Sequence, residues 1–254
     1  VYHDMGCSVN DMVTLKLEDK YRKKAEAIYL KDPEKSIQET IINKSDQAAY
    51  NNNIGNSPQA ELLLQEVVEL CRKEYGPAST AYASALNNLA VLYYNTGIYK
   101  LAEKYFLEAV DVYKKSPESG RICTGICINN LGALYYAIGN YKVASKVIVD
   151  AEKIFEQDNQ QNNPGFAVLL NNLASVAFTE DYYTSQENKN PQVLANSGKD
   201  FLKADSVFRL NCRKPHPYNQ SIIMNLAIWY SITGDTKKSM KLMNDISFDN
   251  NMGW

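Results

Sequence analysis

The chain has 254 residues, 45% of them hydrophobic, with 27 basic and 29 acidic residues for a formal net charge of −2. That is enough apolar material for a core, and the near-neutral balance without clustered Lys or Arg argues against nucleic acid as a partner, because phosphate binding needs concentrated cations. No apolar run approaches the ~18 residues of a membrane-spanning helix, no signal peptide is visible, and five irregularly spaced cysteines give no disulfide framework. No membrane contact is expected, and the default compartment is the cytoplasm.

In chain order, Val1 stands where an initiator Met would, and Tyr2-His3-Asp4-Met5-Gly6 reads as the end of a helix whose beginning is absent, so a fragment is expected. Residues 7–19 read as an insertion of mixed character. A basic helix follows over 18–30, with Ala25 and Tyr29 on its inner side and Asp32-Pro33 as its stop. The segment 34–78 begins with an irregular helix. Lys44, Gln47 and Asn51 occupy phases that are apolar elsewhere in the chain, while Ile37, Ile41 and Ile42 form a different stripe, so shifted packing is expected there. Its second helix carries Leu63, Leu64, Val67, Val68 and Cys71 after Ser57-Pro58, a cap followed by a first-turn proline, and Gly76-Pro77 ends it.

The most regular stretch lies in 79–120. Leu86, Leu89, Ala90 and Tyr93 follow the three-and-four spacing of one helix face, Thr96-Gly97 breaks the helix, and Leu101, Ala102, Tyr105, Phe106 and Ala109 line the inner face of a second. One face of such a hairpin remains bare, so it must stack on a neighbour of like shape. The chain supplies those neighbours. Asn88-Leu89-Ala90 returns as Asn130-Leu131-Gly132 and Asn172-Leu173-Ala174 at steps of 42, and as Asn225-Leu226-Ala227 after 53. The turn glycine recurs at Gly55, Gly97, Gly139 and Gly234, and the small residue of the second helix at Ala60, Ala102, Ala144, Ser197 and Ser239.

The remaining segments are 121–164, 165–214 and 215–254. In the second of these the pattern is lost after Phe178. A polar insertion at 180–190 without a turn glycine accounts for the 11 extra residues, and Pro191 opens a longer helix to about Leu210. The insertion reads as a solvated edge loop or as a partner contact through Tyr182 and Tyr183. After Lys214-Pro215-His216-Pro217, a last pair is expected over 218–232 and 235–246, with a tail at 248–254 in which Trp254 docks or continues onward. All six segments are read as one domain.

Leu86-x-x-Leu89-Ala90-x-x-Tyr93 followed by Ala102-x-x-x-Phe106 resembles the tetratricopeptide repeat pattern, and three further copies carry it: Ile128, Leu131, Gly132 and Tyr135 with Ala144 and Ile148; Leu170, Leu173 and Ala174 with Ser197 and Phe201; Ile223, Leu226, Ala227 and Tyr230 with Ser239 and Met243. The 42-residue step, the run Leu86-Asn87-Asn88-Leu89-Ala90 and the joint His216-Pro217 are similar to the kinesin-light-chain subtype. The resemblance covers about residues 18–248. It implies an all-α, right-handed superhelical solenoid of antiparallel helix pairs, with the first helix of each pair lining a concave surface.

The chemical inventory argues against an enzyme in this chain. His3 lies at the first residues and His216 between two prolines; Cys123 and Cys127 are four apart but have no accompanying ligands; Glu66 and Glu69 read as a solvated helix face; and no phosphate loop or nucleophile elbow occurs. Neither a cofactor nor a metal is expected. The informative set is an asparagine ladder, Asn88, Asn130, Asn172 and Asn225, continued one turn on by Val91, Ala133, Ser175 and Ile228, and one further turn on by Asn95 and Thr179. A carboxamide both donates and accepts, so such a ladder can grip the backbone of an extended peptide. Alternatively, the asparagines tie neighbouring helices together, the reading favoured for Asn87, Asn129 and Asn171. Tyr94, Tyr136 and Phe178 form an aromatic column beside the ladder, or else pack between repeats.

No Lys or Arg recurs on this face, a departure from relatives that clamp a C-terminal carboxylate. A protein or peptide partner is therefore expected, held through its backbone and apolar anchors. The resemblance also admits a sensor or regulatory role beside a caspase-like peptidase domain of the CHAT type outside this chain, or a self-assembling scaffold; the residues leave the oligomeric state open.

Overall fold

In the computed structural model, the described residues are 37–116, 121–184, 190–211 and 217–251, and they are all α, with no strand among them. The expected helix at 18–30, the insertion before it, most of the 116–120 loop, His216 and Trp254 lie outside the described residues. Among the described residues ten helices follow one another in consecutive packed pairs: α1 Ile37–Asn53, α2 Ser57–Tyr75, α3 Thr80–Asn95, α4 Tyr99–Lys115, α5 Arg121–Ala137, α6 Tyr141–Gln157, α7 Pro164–Thr184, α8 Pro191–Asn211, α9 Pro217–Ile232 and α10 Thr236–Asn251. The chain divides into two compact units, one through Cys123 and one from Thr124.

In the first unit α1 packs on α2, α2 on α3, and α3 on α4. The turn within each pair has a single local cause. Gly97 holds φ +76°, a left-handed conformation that costs glycine little, and this directs the Ile98 N–H to the Tyr93 carbonyl at 2.8 Å and the Gly97 N–H to Tyr94 at 3.1 Å. Two carbonyls that the end of α3 would leave open are thereby satisfied. The same two bonds recur at Gly55, from Asn56 to Asn51 and from Gly55 to Asn52.

Small residues let the paired helices approach. Ala60 and Ala102 are fully buried, beside Leu64, Val67 and Phe106, and a side chain of the size of Phe106 contributes ~1.5–3 kcal/mol when removed from water. The shifted packing expected of α1 is corrected here. Ile37 is exposed and Ile41 and Ile42 only half-buried, while the residue α1 buries is Ala48, 42 positions before the fully buried Ala90. The repeat phase is kept because the small residue sets the approach. The polar side chains around it are accommodated locally: Lys44 Nζ reaches Glu66 Oε2 at 2.6 Å, and Asn51 Nδ2 donates to the Gln47 carbonyl at 2.8 Å. At α2 the cap is Asn56, one residue earlier than expected, with Ser57 and Pro58 already helical.

In the second unit Ala144, Ser197 and Ser239 hold the same buried position, with Ser239 Oγ donating to the Ala227 carbonyl at 2.8 Å. Gly132 is required by contact rather than by φ, since a β-carbon there would overlap Ile148 Cγ1 and stand 3.1 Å from Cδ1. The edge loop expected at 180–190 is also corrected. α7 continues without a break to residue 184, so the first part of the insertion extends the helix, and Asp181 of that extension accepts the Asn190 N–H at 3.1 Å where α8 begins.

Candidate functional site

Each candidate residue lies on the first helix of its pair. In α3, Asn88 and Asn95 are exposed and Val91 is half-buried. In α5, Asn130, Ala133 and Tyr136 are half-buried; in α7, Asn172 and Ser175 are half-buried and Thr179 is buried; in α9, Asn225 is half-buried and Ile228 exposed.

The structure brings the second unit's candidates together through hydrogen bonds. Asn172 Nδ2 donates to Asn129 Oδ1 at 3.2 Å, and Asn225 Nδ2 donates both to Asn171 Oδ1 at 3.0 Å and to Ser175 Oγ at 3.1 Å. Asn129 and Asn171 are buried. They are the inter-helix ties that their positions suggested. The ladder asparagines Asn172 and Asn225 are tied as well, through Nδ2 alone, and each Oδ1 accepts no hydrogen bond from the described residues. An amide fixed at its donor end presents its acceptor at a set place. Tyr136 makes a separate pair, its hydroxyl with Thr179 Oγ1 at 3.0 Å.

The aromatic column has a specific local structure. Tyr94 packs on Tyr99 with ring centroids 6.2 Å apart, and Tyr136 on Tyr141 at 5.6 Å, so each rests on the first residue of the following helix across the glycine turn. Phe178 has no such turn behind it and stacks on Tyr182 at 5.8 Å. Phe178, Tyr182, Pro191, Val193, Leu194 and Ile232 line a partly open apolar cavity of about 130 Å³, with Asp181 and Asn190 also in its lining. Sequence reasoning did not anticipate this cavity. Its one signal was the loss of the turn glycine after Phe178.

The shifted ionisable groups owe their shifts to burial and to neighbouring side chains. Burial and a hydrogen bond to Glu108 push the Tyr82 phenol up to about 12, and burial with a bond to Glu61 does the same for Tyr93. Burial also raises the carboxyls of Glu152 and Asp200. Cys127 is buried and Cys123 exposed, and among the described residues no group of three or more His, Cys, Asp or Glu could hold a metal. No helix of the described residues is long and apolar enough to cross a membrane.

Comparisons with known proteins agree with the helical-repeat fold. The family profile described as Tetratricopeptide repeat matches residues 43–115 and 83–157. No curated protein matches the sequence. Among solved structures, BtubC (BKLC) from P. vanneervenii is similar at 17% identity and TM-score 0.63, over 94% of this chain and 90% of that one. The Rap protein complexed with Competence and Sporulation Factor has TM-score 0.63 at 14% identity, over 91% of this chain and 56% of that one. NprR in complex with its cognate peptide NprX has TM-score 0.62 at 12% identity, over 91% of this chain and 61% of that one. At such identities the likeness is one of fold.

Proposed function

We propose that this chain, which carries tetratricopeptide repeats, is a protein-interaction module that holds an extended peptide along the first helices of its repeats. In the second unit the holding residues are Asn130, Ala133, Tyr136, Asn172, Ser175, Thr179, Asn225 and Ile228; in the first unit Asn88, Val91 and Asn95 form their own segment.

The observation that carries this reading is the fixing of Asn172 and Asn225 through Nδ2 with each Oδ1 left as an acceptor. A peptide N–H that meets such an oxygen finds it already oriented, so little side-chain entropy is lost on binding. Val91, Ala133 and Ile228 add apolar area between the amides. The complex of NprR with its cognate peptide NprX, on a similar fold, supports a peptide as the class of ligand.

The test uses a peptide array to find a binder and then an N-methyl scan of its backbone. Methylation at the amides facing Asn172 and Asn225 should weaken binding by about fivefold or more each, equivalent to ~1 kcal/mol. Uniform tolerance of N-methylation along the peptide would overturn the backbone grip.

A further inference from the structure

The α7–α8 hairpin lacks a filling that the two preceding hairpins have. Phe178 stands 42 positions after Tyr136, which itself stands 42 after Tyr94, so the three hold one place in successive repeats. Tyr94 rests on Tyr99 and Tyr136 on Tyr141, in each case the first residue of the next helix. The first residue of α8 is Pro191, which brings no aromatic ring to that corner. Tyr182 stacks on Phe178 instead, and the apolar cavity of about 130 Å³ remains between Phe178, Pro191, Val193, Leu194 and Ile232.

Size and walls decide what fits there. A pocket for a whole drug-sized ligand measures roughly 300–1,000 Å³, whereas an apolar cavity of roughly 150 Å³ stays dry and takes benzene. The polar members of the lining are already engaged, since both Asp181 carboxylate oxygens accept the Asn190 N–H, at 3.1 and 3.2 Å, and Asn190 Oδ1 accepts the Gln192 N–H at 3.0 Å. Trp229 Nε1 donates to the Leu194 carbonyl at 2.8 Å, so that wall is fixed before a ligand arrives. Residues 185–189 read Ser-Gln-Glu-Asn-Lys, so the connection from α7 to α8 has no apolar side chain of its own to offer.

The cavity also adjoins the ladder. Phe178 directly precedes Thr179, and Ile232 follows Ile228 by one turn and Asn225 by two. Two turns of helix are about 10 Å, the reach of about three extended residues. Resting on the peptide reading above, we infer that this cavity takes one phenyl side chain of the bound peptide, about three residues from the amide that meets Asn225. The ring enters the place that Tyr141 holds beside Tyr136 in the preceding hairpin. The ladder grips the backbone without reading side chains, and the cavity supplies the selection.

The test has two arms. In the first, fluorobenzene is titrated against the full chain with its fluorine resonance as the readout, which examines the cavity without any peptide. A saturable shift is expected. Pro191→Tyr, which returns a ring to the corner, should abolish it, and so should Ile232→Trp, which fills the cavity from α9 and leaves the start of α8 untouched; circular dichroism verifies that each variant is folded. In the second arm, binders from the peptide array are resynthesised with each aromatic residue replaced by alanine. One such replacement should weaken binding about tenfold or more to the wild-type chain but by no more than about twofold to Pro191→Tyr. Absence of a saturable fluorobenzene shift, or equal costs of the alanine replacement on both chains, overturns the inference. Fluorobenzene binding with no binder on the array would place the failure in the peptide grip rather than in the cavity, and would overturn the side chain as occupant in favour of a free aromatic molecule.

Discussion

Trp229 of α9 occupies the space above Gly198 of α8, where an added β-carbon would overlap the indole Cζ2 and Cε2 atoms. The indole N–H is held at 2.8 Å by the Leu194 carbonyl, one helical turn earlier, so the ring has little freedom to retreat. Gly198→Ala should therefore force a shift of α9 and cost ~1–3 kcal/mol, the range for overpacking a filled interface. Trp229 fluorescence, read in a Trp254→Phe background, should move to longer wavelength as the ring loses its contact. A thermal midpoint equal to wild type would show that α9 seats in some other way.

Much of this arrangement was legible beforehand, because helical periodicity and a fixed repeat carry their own phase. Ala60, Ala102 and Ala144 recur at 42 and are all fully buried. What escaped the sequence was choice among partners. Asn129 and Asn172 both looked capable of hydrogen bonding, but nothing in either residue says that one would donate to the other rather than to a ligand. Ala48 was hidden among longer polar neighbours although it set the packing of α1. The 180–184 stretch is polar in composition, yet α7 continues through it because a helix with no glycine to stop it goes on as long as side chains such as Tyr182 find contacts.

That extension changes the expectation for the insertion. For a solvated loop, deleting Asp181 to Asn190 would carry only a small entropic change. In the structure the deletion removes the stacking of Tyr182 on Phe178, the Asp181 bond to the Asn190 N–H and part of the cavity lining. A loss of ~1–3 kcal/mol is expected, with helicity reduced by little more than the deleted residues. Unchanged melting would mean that these contacts contribute nothing net.

Tyr93 supplies a test at alkaline pH. Its hydroxyl donates to Glu61 Oε1 at 2.7 Å, and its pKa is pushed up to about 12. An unfolded tyrosine ionises near 10. The folded state therefore binds the proton more tightly, so this stability is fully present below about pH 10 and is lost as pH rises from there through about 12. Tyr93→Phe should lower stability at neutral pH by ~0.5–1.5 kcal/mol and should also shrink the loss between about pH 10 and 12. Urea midpoints measured across that range check both parts. A parallel decline in the two proteins would rule out the phenol as a source.

Glu152 on α6 and Asp200 on α8 act with the same sign at acid pH. Burial raises both; at Glu152 the charges of Glu156 and then Asp200 raise it further while Lys203 opposes, and at Asp200 the rise is opposed by Lys203 and Lys199. Folded pKa values above the unfolded ones mean that the stability linked to these protons is present below the ordinary carboxylate range and falls as pH climbs through the folded values. Asp200→Asn should raise the melting temperature at pH 7 and flatten its rise on mild acidification. A lower melting temperature at pH 7 would show that the pairing of Asp200 with the lysines outweighs its burial.

The ladder is best tested by a cycle on Asn171 and Asn225. Asn225→Ala removes the donor to Asn171 Oδ1, and because Asn171 is only 6% exposed, water replaces that bond poorly. The single variant should cost ~1–3 kcal/mol, as should Asn171→Ala, which strands part of Asn225. In the double variant neither polar group is left behind, so the summed single costs should exceed the measured one by ~0.5–1.5 kcal/mol. Additive costs would mean that the two amides do not depend on one another. The same cycle separates strut from grip when a peptide identified on the array is titrated against each folded variant. If Asn225 only ties helices, Asn171→Ala and Asn225→Ala should change affinity equally. If its Oδ1 also accepts from the ligand, Asn225→Ala should weaken binding by about fivefold beyond Asn171→Ala, because the first removes the acceptor while the second only loosens it.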